Sequence, residues 1–217
     1  MKIYKHNGRA VITGASTGIG ALYADPLARR GHDLILVARN RERLDSLAHR
    51  IADEMQRSVE VIAADLTNGA DLSRVEARLR TDAGITMLVN SAGVGATAPL
   101  LDSDVVKMDA MMALNTTALM RLTYAAPGFG TRGGGAIINI ASAVALLPEM
   151  FNGVYDGTKA FVLVFSQSLH HDLAEKGVRV QAVLPGVTAT DLGRSPGHPR
   201  VTGDIPIQAP WNGFETE

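Results

Sequence analysis

The sequence predicts an α/β fold, a doubly wound parallel β-sheet with helices on both faces. Three observations carry this. Short β-branched runs alternate with longer segments of helical periodicity. The strand runs are continuously apolar, as strands covered on both faces must be. Strand–helix–strand repetition favours right-handed crossovers, and so parallel strands. The 217 residues are 46% hydrophobic, enough for a sizeable core. One domain over residues 1–217 is expected.

The elements follow in order. Residues 9–14 predict a first strand, 18–30 a helix ended by Gly31, and 34–38 a second strand. Residues 41–55 predict a helix, with Leu44, Leu47, Ala48 and Ile51 on one face. A strand over 59–64, a short helix over 72–79 and a strand over 86–90 come next. Helical spacing then runs over 104–124. After Gly133-Gly134-Gly135 comes a strand over 136–140. A long helix over 153–175 leads to a last strand over 178–184, stopped by Pro185-Gly186. The segment after residue 192 is short and rich in proline. Within it, 201–207 could form an edge strand, where proline is tolerated.

Composition narrows the function. Net charge is −1, so nothing electrostatic points to nucleic acid or an anionic membrane. There is no cysteine, which excludes disulfides, thiolate metal sites and cysteine nucleophiles. No signal peptide or membrane span is visible, so a cytoplasmic protein is expected. His170 and His171 are adjacent on a helix and point in different directions, so no metal site is expected.

The first strand runs into Thr13-Gly-Ala-Ser-Thr-Gly-Ile-Gly20 and then a helix. Gly14, Gly18 and Gly20 let the backbone turn tightly and approach a pyrophosphate. The helix N-terminus adds free N–H groups and the positive end of its dipole. Ser16, Thr17 and Ile19 complete this loop. An acidic residue after the second strand would bind the ribose 2′-hydroxyl of NAD. Here Arg39 stands there instead. A guanidinium pairs with a 2′-phosphate, so NADP(H) is the expected cofactor.

The spacing Gly14-x-x-x-Gly18-x-Gly20 resembles the glycine motif of the short-chain dehydrogenase/reductase family. The resemblance continues in order: Asp65-Leu66, Asn90-Ser91-Ala92-Gly93, Asn115, Ser142, Tyr155-x-x-x-Lys159, Pro185-Gly186 and Thr190. It implies a Rossmann-like fold. Asp65 and Leu66 would flank the adenine, and Asn90, Ala92 and Gly93 would line the cofactor cleft. Lys159 would hold the nicotinamide ribose. Asn115 would keep a water in a proton relay, and Thr190 would touch the carboxamide. Pro185, Gly186, Val187 and Ile140 would line the same cleft. It also implies homodimers or homotetramers, paired through the helices at 104–124 and 153–175. Ala110, Ala113 and Ala118 are read as small outer residues there.

The chemistry of these residues points the same way. Tyr155 and Lys159 share a face of one helix. A free phenol has a pKa of about 10, and a nearby ammonium should lower it. Tyr155 can then exchange a proton with a carbonyl oxygen while hydride moves. Ser142, just past the fifth strand, can hydrogen-bond the substrate oxygen. Val94, Val144, Leu146, Met150, Phe151 and Val187 are the pocket candidates, mostly apolar. A neutral or acyl-type ketone, or the matching alcohol, is therefore expected. The alternative is a non-catalytic NADP-binding regulator or scaffold on the same fold. Family members usually carry a longer segment after the Pro-Gly pair.

Overall fold

The computed structural model describes residues 7–96, 98–126, 129, 134–147 and 152–186. Six parallel strands form one sheet: β1 (Arg9–Thr13), β2 (Asp33–Ala38), β3 (Val59–Ala63), β4 (Ile85–Asn90), β5 (Gly135–Ile140) and β6 (Val178–Val183). Their order is β3-β2-β1-β4-β5-β6, the Rossmann-like arrangement that the sequence predicts. The order reverses between β1 and β4, and ligands bind at such a switch point. The expected strand over 201–207 lies outside the described residues.

Helices cover both faces. One face packs under α1 (Gly18–Arg29) and α2 (Arg41–Met55). There Ile12, Leu34, Leu36, Val89 and Ile138 meet Leu27, Leu44 and Ile51. The other face packs under α3 (Gly69–Thr81) and α5 (Leu119–Ala125). There Val11, Ile35, Val37, Leu88 and Ile137 meet Val75, Leu79 and Leu122. Successive residues of one strand thus enter opposite cores, which is why the strands read as unbroken apolar runs.

Two expected helices differ in extent or form. The helix expected over 72–79 starts at Gly69, because the Asn68 side chain accepts from Ala70 N and Asp71 N. The helix expected over 104–124 is not uniform. It runs as α4 (Val105–Met112), a π-helical turn (Ala113–Ala118) and α5. Ala118 is buried within the core, not on an outer face. The wider turn rotates side chains away from simple helical spacing. The last helix, α6 (Gly153–Ala174), leads into β6.

Candidate active site

The glycine loop after β1 is shaped by close contacts. Gly14 has φ +67° and Gly18 φ +56°, a region that side-chain-bearing residues rarely enter. A Cβ on Gly14 would lie 2.8 Å from Ala92 Cα, and one on Gly20 would strike the Gly14 carbonyl. Thr13 pins the facing loop: its Oγ1 accepts from Ser91 N at 3.0 Å and from Ala92 N at 3.1 Å. Ser16, Thr17 and Ile19 are half-buried around the start of α1. Thr17 caps α1 without a side-chain hydrogen bond, and the first turn of that helix carries no acid. Bare backbone N–H groups at a helix start suit a phosphate. The residues present fit a dinucleotide here.

At the end of β2, Arg39 is exposed. Its charge acts on Asp65, which follows β3. The Thr67 hydroxyl and amide, bonded to Asp65 Oδ1 at 2.7 and 2.9 Å, hold that carboxyl below its ordinary range, and Arg39 adds to the effect. Leu66 is buried. It packs in one cluster of side chains with Thr13, Asn90, Ala92 and Leu114. Asn90 is 3% exposed and donates to Thr123 Oγ1 at 3.0 Å and Asn139 Oδ1 at 2.9 Å. Its own Oδ1 is buried without a partner.

The second half of the site uses side chains from separate elements. Ser142 follows β5 and starts a 3₁₀ turn (Ala143–Leu146). Its hydroxyl interacts with that of Tyr155, in the first turn of α6. Lys159, one turn further, is 8% exposed, and its Nζ donates to the Ile140 carbonyl at 2.9 Å. Burial lowers the Lys159 ammonium to about 8.

The expected lowering of the Tyr155 phenol is not what the structure gives. Burial pushes it above its ordinary value; the Ser142 hydroxyl opposes this, and Asp156 pushes upward. The Lys159 nitrogen lies 5.8 Å from the centre of the Tyr155 ring and is spent on a carbonyl. Desolvation therefore outweighs charge at this phenol.

Asn115 sits in the π-helical turn, 2% exposed. Its Oδ1 accepts from Val94 N at 3.0 Å. Its Nδ2 donates to Val94 O at 2.9 Å and Thr158 Oγ1 at 3.1 Å. Thr158 then donates to the Tyr155 carbonyl at 2.7 Å. One amide joins the loop after β4 to the helix of Tyr155 and Lys159. Gly93 is close by: a Cβ there would lie 3.1 Å from Asn115 Oδ1 and 3.7 Å from Lys159 Nζ. Pro185 O accepts from Ala143 N at 3.0 Å, and Gly186 is exposed beside it. Val187 and Thr190 lie outside the described residues, as do Met150 and Phe151 of the pocket candidates.

Sequence reasoning missed Thr158, Asn139 and Ser166. Asn139 is fully buried and donates to Ser166 Oγ at 2.9 Å. A lone polar residue inside the run Ala136–Ile140 was the available signal.

A model of the short chain dehydrogenases matches residues 8–199. The chain belongs to that family. Very-long-chain 3-oxoacyl-CoA reductase of Bos taurus is 36% identical over 192 residues, 85% of this chain and 61% of the relative. The chain thus spans about 61% of the length of such curated relatives. A short-chain dehydrogenase from Sphingobium yanoikuyae, solved with NADPH, is 49% identical with a TM-score of 0.84, over 86% of this chain and 73% of that one. The bulky-bulky ketone specific alcohol dehydrogenase from Comamonas testosteroni is 46% identical with a TM-score of 0.83, over 85% and 74%. Among the described residues of this family member, no helix is long and apolar enough to cross a membrane.

Proposed function

We propose that this short-chain dehydrogenase is an NADP(H)-dependent oxidoreductase that interconverts a ketone or aldehyde and an alcohol, with Tyr155 as general acid and base. The convergence of Ser142, Tyr155 and Lys159 at the carboxyl edge of the sheet, beside the glycine loop, carries this reading. The NADPH in the Sphingobium structure supports the cofactor. Arg39 supports NADP over NAD, as the cation placed to meet a 2′-phosphate.

A nicotinamide held beside these residues would supply or accept the hydride. Gly14, Gly18 and Gly20 would hold the pyrophosphate through backbone approach, and Arg39 the 2′-phosphate. Ser142 donates a hydrogen bond that orients the substrate oxygen. Tyr155 gives that oxygen its proton in reduction and takes it back in oxidation. A phenol held protonated by burial suits the acid role. Lys159 holds positive charge one helical turn away, which favours the phenolate left after proton transfer. Asn115 keeps the loop after β4 and α6 in fixed relation.

The helices α4, α5 and α6 are proposed to pair two copies of the chain. Tyr124, Phe161 and Val164 are exposed there, and Phe165 stacks on Phe161 and Tyr124 at 5.4 and 6.3 Å. Light scattering that gives a strict monomer would refute the pairing. A cytoplasmic location is proposed as well. The activity itself is tested by following NADPH absorbance with a panel of ketones and aldehydes. Tight NADPH binding with no turnover across the panel would favour a regulator instead.

A further inference from the structure

The loop after β3 stands beside the end of β2. Ala64 N donates to Ala38 O at 3.0 Å, and the charge of Arg39 reaches the Asp65 carboxyl. In a doubly wound sheet the dinucleotide lies across the carboxyl ends of the strands, with the adenosine ribose at the end of β2. The adenosine half therefore borders this loop. β3 is an edge strand, so the loop has a strand neighbour on one side only.

Two side chains of α3 hold it from the other side. Asp71 Oδ2 accepts from Asp65 N at 2.8 Å. Arg74 Nη1 lies 3.1 Å from Asp71 Oδ1, and its Nη2 donates to the Ala63 carbonyl at 2.7 Å. Arg74 thus ties the last residue of β3 to the carboxylate that holds Asp65. Asn68 N closes the turn by donating to Asp65 O at 2.9 Å, and Thr67 occupies Asp65 Oδ1. Asp65 Oδ2 is the one polar atom of that residue without a hydrogen bond among the described residues, and it is left to a donor on a ligand. An exposed arginine–carboxylate pair three residues apart on a helix contributes little by itself. The bonds to Ala63 O and Asp65 N set this pair apart from a solvated one.

We propose that Asp71 and Arg74 are positioning residues for the cofactor: together they hold the loop after β3 where its Asp65 and Leu66 meet the adenosine half of NADP(H). Each acts through the loop and not on the cofactor itself. A binding group is only as well placed as the residues that support it. The proposal rests on the reading of this cleft as an NADP(H) site.

Calorimetric titration with 2′,5′-ADP, the adenosine half of the cofactor, and with NADPH reads the loop directly, alongside Tm. Asp71→Ala removes the acceptor for Asp65 N. Both ligands should then bind about tenfold more weakly, the worth of one hydrogen bond to a charged group. Charge alone predicts the reverse, because deleting a carboxylate near an anion site favours the anion. Asp71→Asn returns an oxygen acceptor at the same place and should restore affinity to within about threefold of the unaltered protein. Arg74→Ala releases Ala63 O and should weaken both ligands by about threefold. Unchanged or tighter binding of 2′,5′-ADP by Asp71→Ala overturns the proposal, whatever happens to Tm. So does a loss seen with NADPH and not with 2′,5′-ADP. If Asp71→Ala does not fold, the exposed Arg74→Ala change decides, and full affinity there overturns the proposal. An unaltered protein that binds NADPH but not 2′,5′-ADP overturns the proposal alone. One that binds neither removes the NADP(H) reading, and the proposal with it.

Discussion

The two halves of the site are built on different principles. The half around β1 and α1 works through backbone. Its glycines clear space, its helix start offers bare N–H groups, and its parts lie within eight consecutive residues from Thr13 to Gly20. The half around β5 and α6 works through side chains brought from four places: the loop after β4, the π-helical turn, the 3₁₀ turn and α6. A backbone site tolerates little added bulk but asks for no particular functional group. A side-chain site loses its chemistry with one atom while its shape survives.

Four substitutions test this contrast, the largest effect first. Tyr155→Phe removes one hydroxyl, and kcat should fall by about a thousandfold, within the range of general acid–base catalysis. NADPH should still bind in a fluorescence titration; joint loss of binding and turnover would blur the division between the halves. Gly20→Ala drives a Cβ into the Gly14 carbonyl. It should weaken NADPH binding by at least about tenfold, given the 1–3 kcal/mol typical of inserting a group into a packed site, and lower Tm. Wild-type affinity in that variant would show that the loop yields easily.

Arg39→Ala tests the contact proposed between an exposed side chain and the 2′-phosphate. The preference for NADPH over NADH should narrow by about tenfold, the worth of one charge-assisted hydrogen bond. Equal affinities for the two cofactors in the unaltered protein would remove the claim outright.

Lys159→Met gives the smallest effect and the most pointed one. The Lys159 ammonium is depressed from 10.5 to about 8 by burial. A depressed lysine costs the folded state stability at every pH below its folded value, and the cost fades as pH rises from about 8 toward 10.5. The variant should therefore unfold at a higher temperature than the parent at pH 7, with the gap closing near pH 10, while turnover falls. A Tm below the parent at pH 7 would mean that the bond to Ile140 O outweighs the desolvation.

Legibility follows the same division. Mostly apolar runs announced the four inner strands, which are covered on both faces, while the edge strands β3 and β6 interleave Glu60, Arg179 and Gln181 with apolar residues. The glycine loop was readable because its glycines fall within eight residues, although its contact with Ala92 was not. Tyr155 and Lys159 could be paired from their spacing along one helix. The direction of the Tyr155 shift could not, because burial by neighbours distant in sequence sets it. The π-helical turn was hidden as well. Its Asn115 is fixed by Val94 and Thr158, 21 and 43 residues away.

The sequence alone determined the sheet, its parallel sense and the residue types able to bind a dinucleotide and move a proton. These depend on periodicity and on contacts within a turn or two. Only the tertiary structure decided which groups are desolvated, that the Lys159 amine is committed to a carbonyl, and that a buried amide joins the loop after β4 to the helix of Tyr155 and Lys159. Desolvation and hydrogen-bond partnership are properties of enclosure, and enclosure exists only once remote segments have packed together.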